Sequence, residues 1–410
     1  MGKSRSLWWS PGTGARVATL AVALFSASAM IATLAPPAAA TAGIGLLNPW
    51  AEENENPNPK QQPVALSQAK RDAQNFNFII AHPIDYQGDV AQMRRVNPRL
   101  ILLAYMNATF LQQGQPGGNL PESAYAHDKN GKRIKNPSSG NTLMNPASQE
   151  FIKTRIFECQ AFLTQSGYNG CYLDLLGIAP LSTPFVSAVP VNPATKKPYT
   201  TGQWLAATGG LAAAVRAALH PHLVYGNGLS NGTLFFGTQT DQLVKDLDGA
   251  VAEAWIRGSH NPVGAFPSES AWKQNVDMLA YVEKQGKPLL TLTKLWVHAT
   301  TAQVNQWYQY TLASFLLGSQ GRSAFFFSPG PNVSRTTPCS LCNLRIGSPM
   351  GQYAKASGVY QRQFSTGRVL VNPTGTTVTV RLGRTYFDAN HHAITTAKMA
   401  PNTGLILTTS

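Results

Sequence analysis

Short apolar runs alternate with helix-like stretches along most of this 410-residue chain, and that alternation narrows the fold more than any other feature. Strand-like runs lie at 75–81, 100–105, 142–145, 170–174, 222–225, 249–253, 288–293 and 323–328, with helical stretches at 90–96, 148–165, 203–219, 238–247, 268–285 and 302–317. Eight strands alternating with helices, over roughly 270 residues, predict an α/β fold of the (β/α)8 TIM-barrel type; a doubly wound open sheet is the competing architecture. The third strand is the weakest member, because residues 107–140 form a long Gly/Pro-rich stretch before it. After Phe364 the pattern changes. Val369-Leu370-Val371-Asn372-Pro373-Thr374 and Thr377-Val378-Thr379-Val380-Arg381-Leu382 alternate β-branched residues with turn signals, which predicts a small C-terminal antiparallel β-domain over 364–410 and a barrel over 64–363.

The N-terminus reads as a secretory signal peptide over 1–42. Lys3, Arg5 and Arg16 lead into an apolar run from Val17 to Leu34, followed by small-residue cleavage options at Ala40 and Ala42. A retained membrane anchor is the alternative that the run just permits in length. Residues 43–63, rich in Asn, Pro and Glu, read as a linker. The expected destination is outside the cytoplasm, secreted or in the cell envelope. The formal net charge of +14 loses three positive and no negative charges with the leader, leaving +11. Such a field favours anionic polymers or an anionic envelope surface. No Lys/Arg-dense run interleaved with aromatics appears, so nucleic acid is not the expected partner. Four cysteines suit an exported protein. Cys159, on a predicted helix, and Cys171, facing the helix layer from the next strand, are expected to bridge. Cys339 and Cys342 are read as a second, tight disulfide in preference to a redox pair or half a zinc site, because further ligands and a thioredoxin-like context are lacking.

The chemistry is expected to centre on Gly170-Cys171-Tyr172-Leu173-Asp174. Alternation along a strand turns Tyr172 and Asp174 one way and Cys171 and Leu173 the other, so Asp174 stands at the mouth of a barrel. A plain helix cap is the simpler role for an Asp in that position. Glu253, in Val251-Ala252-Glu253-Ala254-Trp255, ends the sixth predicted strand at the same mouth; a salt bridge to Arg257 is its simpler role. Two carboxylates flanking one bond are what glycoside hydrolysis needs. Other strand-end residues are candidates for binding sugar hydroxyls and ring faces: His82, Asp85, Tyr105, Asn107, Tyr172, Asn227, Trp255, Lys294 and Trp296. No cofactor is implied, and His82 lacks partners at metal-ligand spacing.

These motifs, together with the Phe325-Phe326-Phe327-Ser328 strand and the Val-Leu-Val-Asn-Pro-Thr segment, resemble the hypothetical glycosyl-hydrolase-like barrel families, distant relatives of the α-galactosidase and dextranase barrels. The resemblance spans roughly Val64 to Ser410. It implies Asp174 as nucleophile and Glu253 as acid/base. Desolvation beside Trp255 and repulsion from a second carboxylate would keep such an acid protonated. Two rivals stand beside this reading. Gly228-Leu229-Ser230-Asn231-Gly232 matches the nucleophile elbow of a Ser-dependent esterase, with Asp248 or Asp277 and His298 downstream. The other rival is a glycan-binding barrel without turnover.

Overall fold

The computed structural model describes residues 47–48, 63–112, 120–183, 185–330 and 345–409. The expected leader over 1–42 and the expected Cys339/Cys342 disulfide lie outside them. Eight parallel strands form one sheet: β1 (Leu47–Asn48), β2 (Phe78–Ala81), β3 (Ile101–Asn107), β4 (Gly170–Asp174), β5 (Leu223–Asn227), β6 (Gly249–Ala252), β7 (Leu289–Lys294) and β8 (Ala324–Ser328), in sequential order. Its two edges, β1 and β8, come side by side, so the sheet curls into a nearly closed barrel. This is the expected α/β barrel, reached by a different strand count. Thr142–Leu143 pairs antiparallel with Phe110–Leu111 in a separate ribbon, because Phe110 and Leu143 pack with Ala126, Ile134 and Trp204 in a cluster of their own. The missing barrel strand is β1, inside the stretch expected as linker. The two changes offset each other, so Asp174 still ends the fourth strand.

The crossover helices are α1 (Leu66–Asn75), α2 (Val90–Val96), α3 (Gln149–Ser166), α4 (Thr201–Leu219), α5 (Glu269–Lys284) and α6 (Thr301–Gly318). Their ends follow capping chemistry. Thr200 and Thr300 each accept from the backbone N–H three residues on, while the Gln203 and Gln303 side chains return the bond to the cap. Gly167 closes α3 in the left-handed conformation with φ of 69°, which a Cβ would strain. The stretch expected as a helix over 238–247 is a 3-10 helix, Thr240–Asp246. Helix α1 has no counterpart in the sequence reading, although Ala69, Ala73 and Phe76 on its buried side share one face.

Between barrel and helices lies a core in which Trp255, Trp272 and Trp307 are fully buried, each indole N–H donating to an oxygen. Cys159 on α3 and Cys171 on β4 form the expected disulfide, tying the strand that carries Asp174 to its helix. On the chain-entropy account, closing a loop with a sequence separation of 12 contributes about 3 kcal/mol.

The C-terminal sheet is antiparallel: β9 (Ala354–Ala356), β10 (Val359–Phe364), β11 (Gly367–Asn372), β12 (Val378–Phe387), β13 (Ala393–Met399) and β14 (Thr403–Thr408), ordered β9-β10-β11-β14-β12-β13. It has a core of its own around Val359, Leu370, Val380, Tyr386 and Leu407. Arg362 of β10 is buried and donates to the carbonyls of Leu316, Leu317 and Ser319, capping the C-terminus of α6. That arginine fixes the sheet against the last barrel helix.

Candidate active site

The ends of β3 to β7 converge on two carboxylates. Asp174, 6 % exposed, accepts three hydrogen bonds: from the Tyr105 hydroxyl at 2.9 Å, from Asn227 Nδ2 at 2.7 Å and from the backbone N–H of Leu175 at 2.8 Å. Donors in that number stabilise an ionised carboxylate. Glu253, the residue after β6, accepts from the same Asn227 Nδ2 at 2.7 Å and from the Tyr172 hydroxyl at 3.1 Å, both on Oε1. Its Oε2 faces the Lys294 ammonium at 3.3 Å. One amide nitrogen therefore donates to both acids. With each arm 2.7 Å long, the two accepting oxygens are at most twice that apart, about 5.4 Å.

The strand pattern explains the convergence. Asn107 lies opposite Asp174 and Tyr105 opposite Tyr172, so alternate residues of β3 and β4 point into the mouth together. The loops leaving β4 and β5 touch backbone to backbone at Gly177 and Gly228: a Cβ on Gly177 would come within 2.7 Å of Gly228, and Gly228 has a φ of +124°. Only glycine permits both the contact and that dihedral. Backbone strain marks the same rim, where Leu175, Ser230 and Ile256 after β4, β5 and β6 have φ of 62°, 58° and 67°. Such conformations persist where the surroundings over-determine them.

A cleft of about 610 Å3 opens beside Glu253. Asn227, Glu253 and Lys294 line it, with Ser182, Thr201 and Ser230 supplying hydroxyls. The Ser182 and Thr201 walls come from the loop after β4 and from the first residue of α4, whose sequences carried no strand-end signal. On the other side of the acid pair, the His82 ring meets Tyr105 edge-on at 5.1 Å, and the His82 carbonyl accepts from Tyr168. Asp85 is buried and takes the backbone N–H of His82, and Asn107 Oδ1 takes the N–H groups of Thr109 and Phe110. These two side chains shape the rim. Trp296 donates to Ser328 Oγ, and the Lys294 ammonium sits 4.5 Å over its ring.

Three details differ from the sequence reading. Trp255 is fully buried with its indole bound to the Asn275 carbonyl, so it supports the site from below and does not line it. Glu253 therefore has polar neighbours, Tyr172, Asn227 and Lys294, where an apolar indole was expected. Its cation is Lys294; Arg257 is buried and donates to the carbonyls of Lys294, Asn261 and Pro262. The Tyr172 hydroxyl is pushed well above its ordinary range, first by burial and then by the charges of Glu253 and Asp174, so it remains a donor.

The esterase triad does not assemble. Asp248 precedes β6 at the opposite end of the barrel, held by Arg216 and the N–H of Val224, while Asp277 on α5 binds Lys273 and Tyr353. Neither carboxylate reaches the Ser230 side, and no histidine is among the described residues lining the cleft. Among the described residues no group of three or more His, Cys, Asp or Glu is placed to hold a metal ion, and no helix is long and apolar enough to cross a membrane.

A parallel barrel that brings two carboxylates together beyond the C-terminal ends of its strands holds the pair of acids that glycoside hydrolysis needs. Residues 94–368 match the model of hypothetical glycosyl hydrolase family 15, and the chain belongs to that family. Among solved structures it is similar to a noncanonic maltogenic α-amylase, AmyB, from Thermotoga neapolitana, at 10 % identity over 90 % of this chain and 99 % of that one, with a TM-score of 0.50. It is similar too to Amy13B of Eubacterium rectale, at 9 % identity over 85 % and 91 % of the two chains, with a TM-score of 0.51. These likenesses show the shared fold. Ega3 of Aspergillus fumigatus, solved in complex with galactosamine, matches at 14 % identity over 62 % of this chain and 85 % of that one, with a TM-score of 0.39. No curated protein sequence matches the chain.

Proposed function

We propose that this protein is an exported, retaining glycoside hydrolase in which Asp174 is the nucleophile and Glu253 the acid/base. The observation that carries the reading is the Asn227 bridge. Retaining enzymes hold their carboxyl groups about 5 to 5.5 Å apart and inverting ones about 6.5 to 9.5 Å apart, the larger gap making room for a water. A single amide nitrogen donating to both acids supports the shorter spacing.

In the first step Asp174 attacks the anomeric carbon while Glu253 delivers a proton to the departing glycosidic oxygen, leaving a glycosyl ester on Asp174. In the second, Glu253 takes a proton from water, which attacks the same carbon and frees Asp174. Tyr105, Asn227 and the Leu175 N–H donate to Asp174 and aim it. Tyr172 and Asn227 grip one oxygen of Glu253, which leaves the other toward the cleft and Lys294. The hydroxyls of Ser182, Thr201 and Ser230 suit a substrate bearing many hydroxyl groups.

Export rests on the N-terminal charge and hydropathy pattern and is consistent with the Cys159–Cys171 bridge. The test of function is reducing-sugar release from a panel of envelope and plant polysaccharides by the wild type, Asp174→Asn and Glu253→Gln. Release lost in both variants supports the assignment. Release surviving either change overturns it, and silence from the wild type across the panel favours a binding barrel.

A further inference from the structure

The C-terminal β-domain is electrically lopsided. Residues 345–409 hold seven Lys or Arg and one acid, Asp388. Asp388 is committed to its own turn, accepting from the N–H groups of Asn390 and His392 and pairing with the His392 ring. Three of the cations have structural work. Arg362 caps α6, Arg368 holds Gln361 and the Leu382 carbonyl, and Lys355 pairs with Glu269. Arg345 precedes the sheet, and Arg381, Arg384 and Lys398 remain on the β12–β13 hairpin, all exposed and with no ion pair among the described residues, Arg384 lying 4.7 Å over the Tyr386 ring.

Their placement follows from the register. Arg381 lies opposite Thr396, and Lys398 opposite Thr379, so all four share one face while Val380, Leu382, Ala397 and Met399 fill the other. Arg381 and Lys398 are thus diagonal neighbours, about 7 to 8 Å apart at the backbone, two like charges on one face. Edge protection accounts for a lysine on β13, the outermost strand. One lysine would serve that purpose; Arg381 and Arg384 on β12, which meets β14 only at Phe387, add two further cations to the same hairpin.

We infer that the outer face of the β12–β13 hairpin is a docking surface for an anionic polysaccharide, holding the barrel on a carboxylated or phosphorylated glycan independently of the active-site cleft. Charge complementarity supplies the attraction, and the interleaved Thr379 and Thr396 hydroxyls suit the sugar hydroxyls between the charges. A membrane is the less favoured partner. The large exposed apolar side chains among the described residues are Val96, Phe157, Val189, Phe236, Tyr281 and Met350, and none is on this hairpin to anchor it in lipid.

The test compares binding to polygalacturonate by isothermal titration at low and moderate salt. Three proteins are needed: the wild type, the hairpin variant Arg381→Ser/Arg384→Ser/Lys398→Ser, and a control with the same charge removed from the barrel surface, Arg99→Ser/Lys197→Ser/Lys284→Ser. Matching thermal melts establish that both variants fold. The expected result is at least tenfold weaker binding by the hairpin variant, less than a twofold change in the control, weakening with salt, and no binding to neutral dextran. Equal losses in the two variants, no wild-type binding, equal binding to dextran, or tighter binding to duplex DNA or anionic vesicles than to polygalacturonate would each overturn the assignment. None of these outcomes depends on hydrolysis, so the docking face and the catalytic reading stand or fall separately.

Discussion

Exchanging the bridging amide for a carboxyl, Asn227→Asp, probes the acid pair with almost no change of shape. Two donations of 2.7 Å to carboxylates disappear, each worth about 1.5 to 3 kcal/mol for a hydrogen bond to a charged group. A third carboxyl arrives where two already sit. At an effective dielectric constant of about 20, two unit charges 3 Å apart repel by about 5 kcal/mol, so the introduced group holds a proton in the folded protein well above its unfolded value of about 3.9. The sign follows from linkage. The folded state binds more protons than the unfolded one above that value, so the variant's stability falls relative to wild type as pH rises, by up to about 1.4 kcal/mol per pH unit. Between pH 4 and pH 6 the deficit should grow by about 2 to 3 kcal/mol by that slope. Urea denaturation of both proteins across this range measures it without a substrate. A deficit independent of pH, or none, would refute the claim that one nitrogen serves both acids.

Other outcomes follow from the same contacts. Tyr172→Phe keeps the buried ring and removes its donation to Glu253; kcat/KM on the released substrate should fall about 10- to 100-fold while the melt hardly moves, as expected for a lost hydrogen bond to a charged group. Cys159→Ser should lower unfolding free energy by about 3 kcal/mol in urea, and reducing agent should have little further effect on that variant. The Arg362→Met variant leaves the α6 carbonyls without their donor, costing about 2 to 4 kcal/mol, and early proteolysis should fall between the barrel and the C-terminal sheet. Glu122 is held down to about 2 by its hydrogen bonds to Arg133 and His127. Its contribution is present above the ordinary carboxylate range and lost as pH falls toward 2, so Glu122→Gln should loosen the segment from Glu122 to Arg133 that this contact closes at pH 7, read by hydrogen exchange, and match wild type near pH 2.

Much of the fold was legible because β4 to β8 carry continuous apolar runs between helix-like stretches, and a parallel strand buried on both faces leaves that trace. Strand β1 is two residues long in an Asn- and Pro-rich segment, so its pairing with β2 leaves no periodicity to read. Thr142–Leu143 has strand composition, and only packing against Phe110 and Trp204 decides that it leaves the barrel. The acid pair was legible from strand ends and alternation. Two facts about it were not, since both are tertiary: Asn227 spans the two carboxylates, and Lys294, 41 positions after Glu253, supplies its cation in place of Arg257, the simpler partner weighed from the sequence. Trp255 shows the limit of alternation past a strand's end, where the chain turns and the next residue follows the loop.

The central claim is that Asp174 and Glu253 cleave a glycosidic bond by way of an ester on Asp174. The most direct measurement is proton NMR of the first product formed from whichever polysaccharide is hydrolysed, followed before mutarotation sets in. The account predicts that the new reducing end has the anomeric configuration of the bond that was cut. A first product of opposite configuration would contradict it.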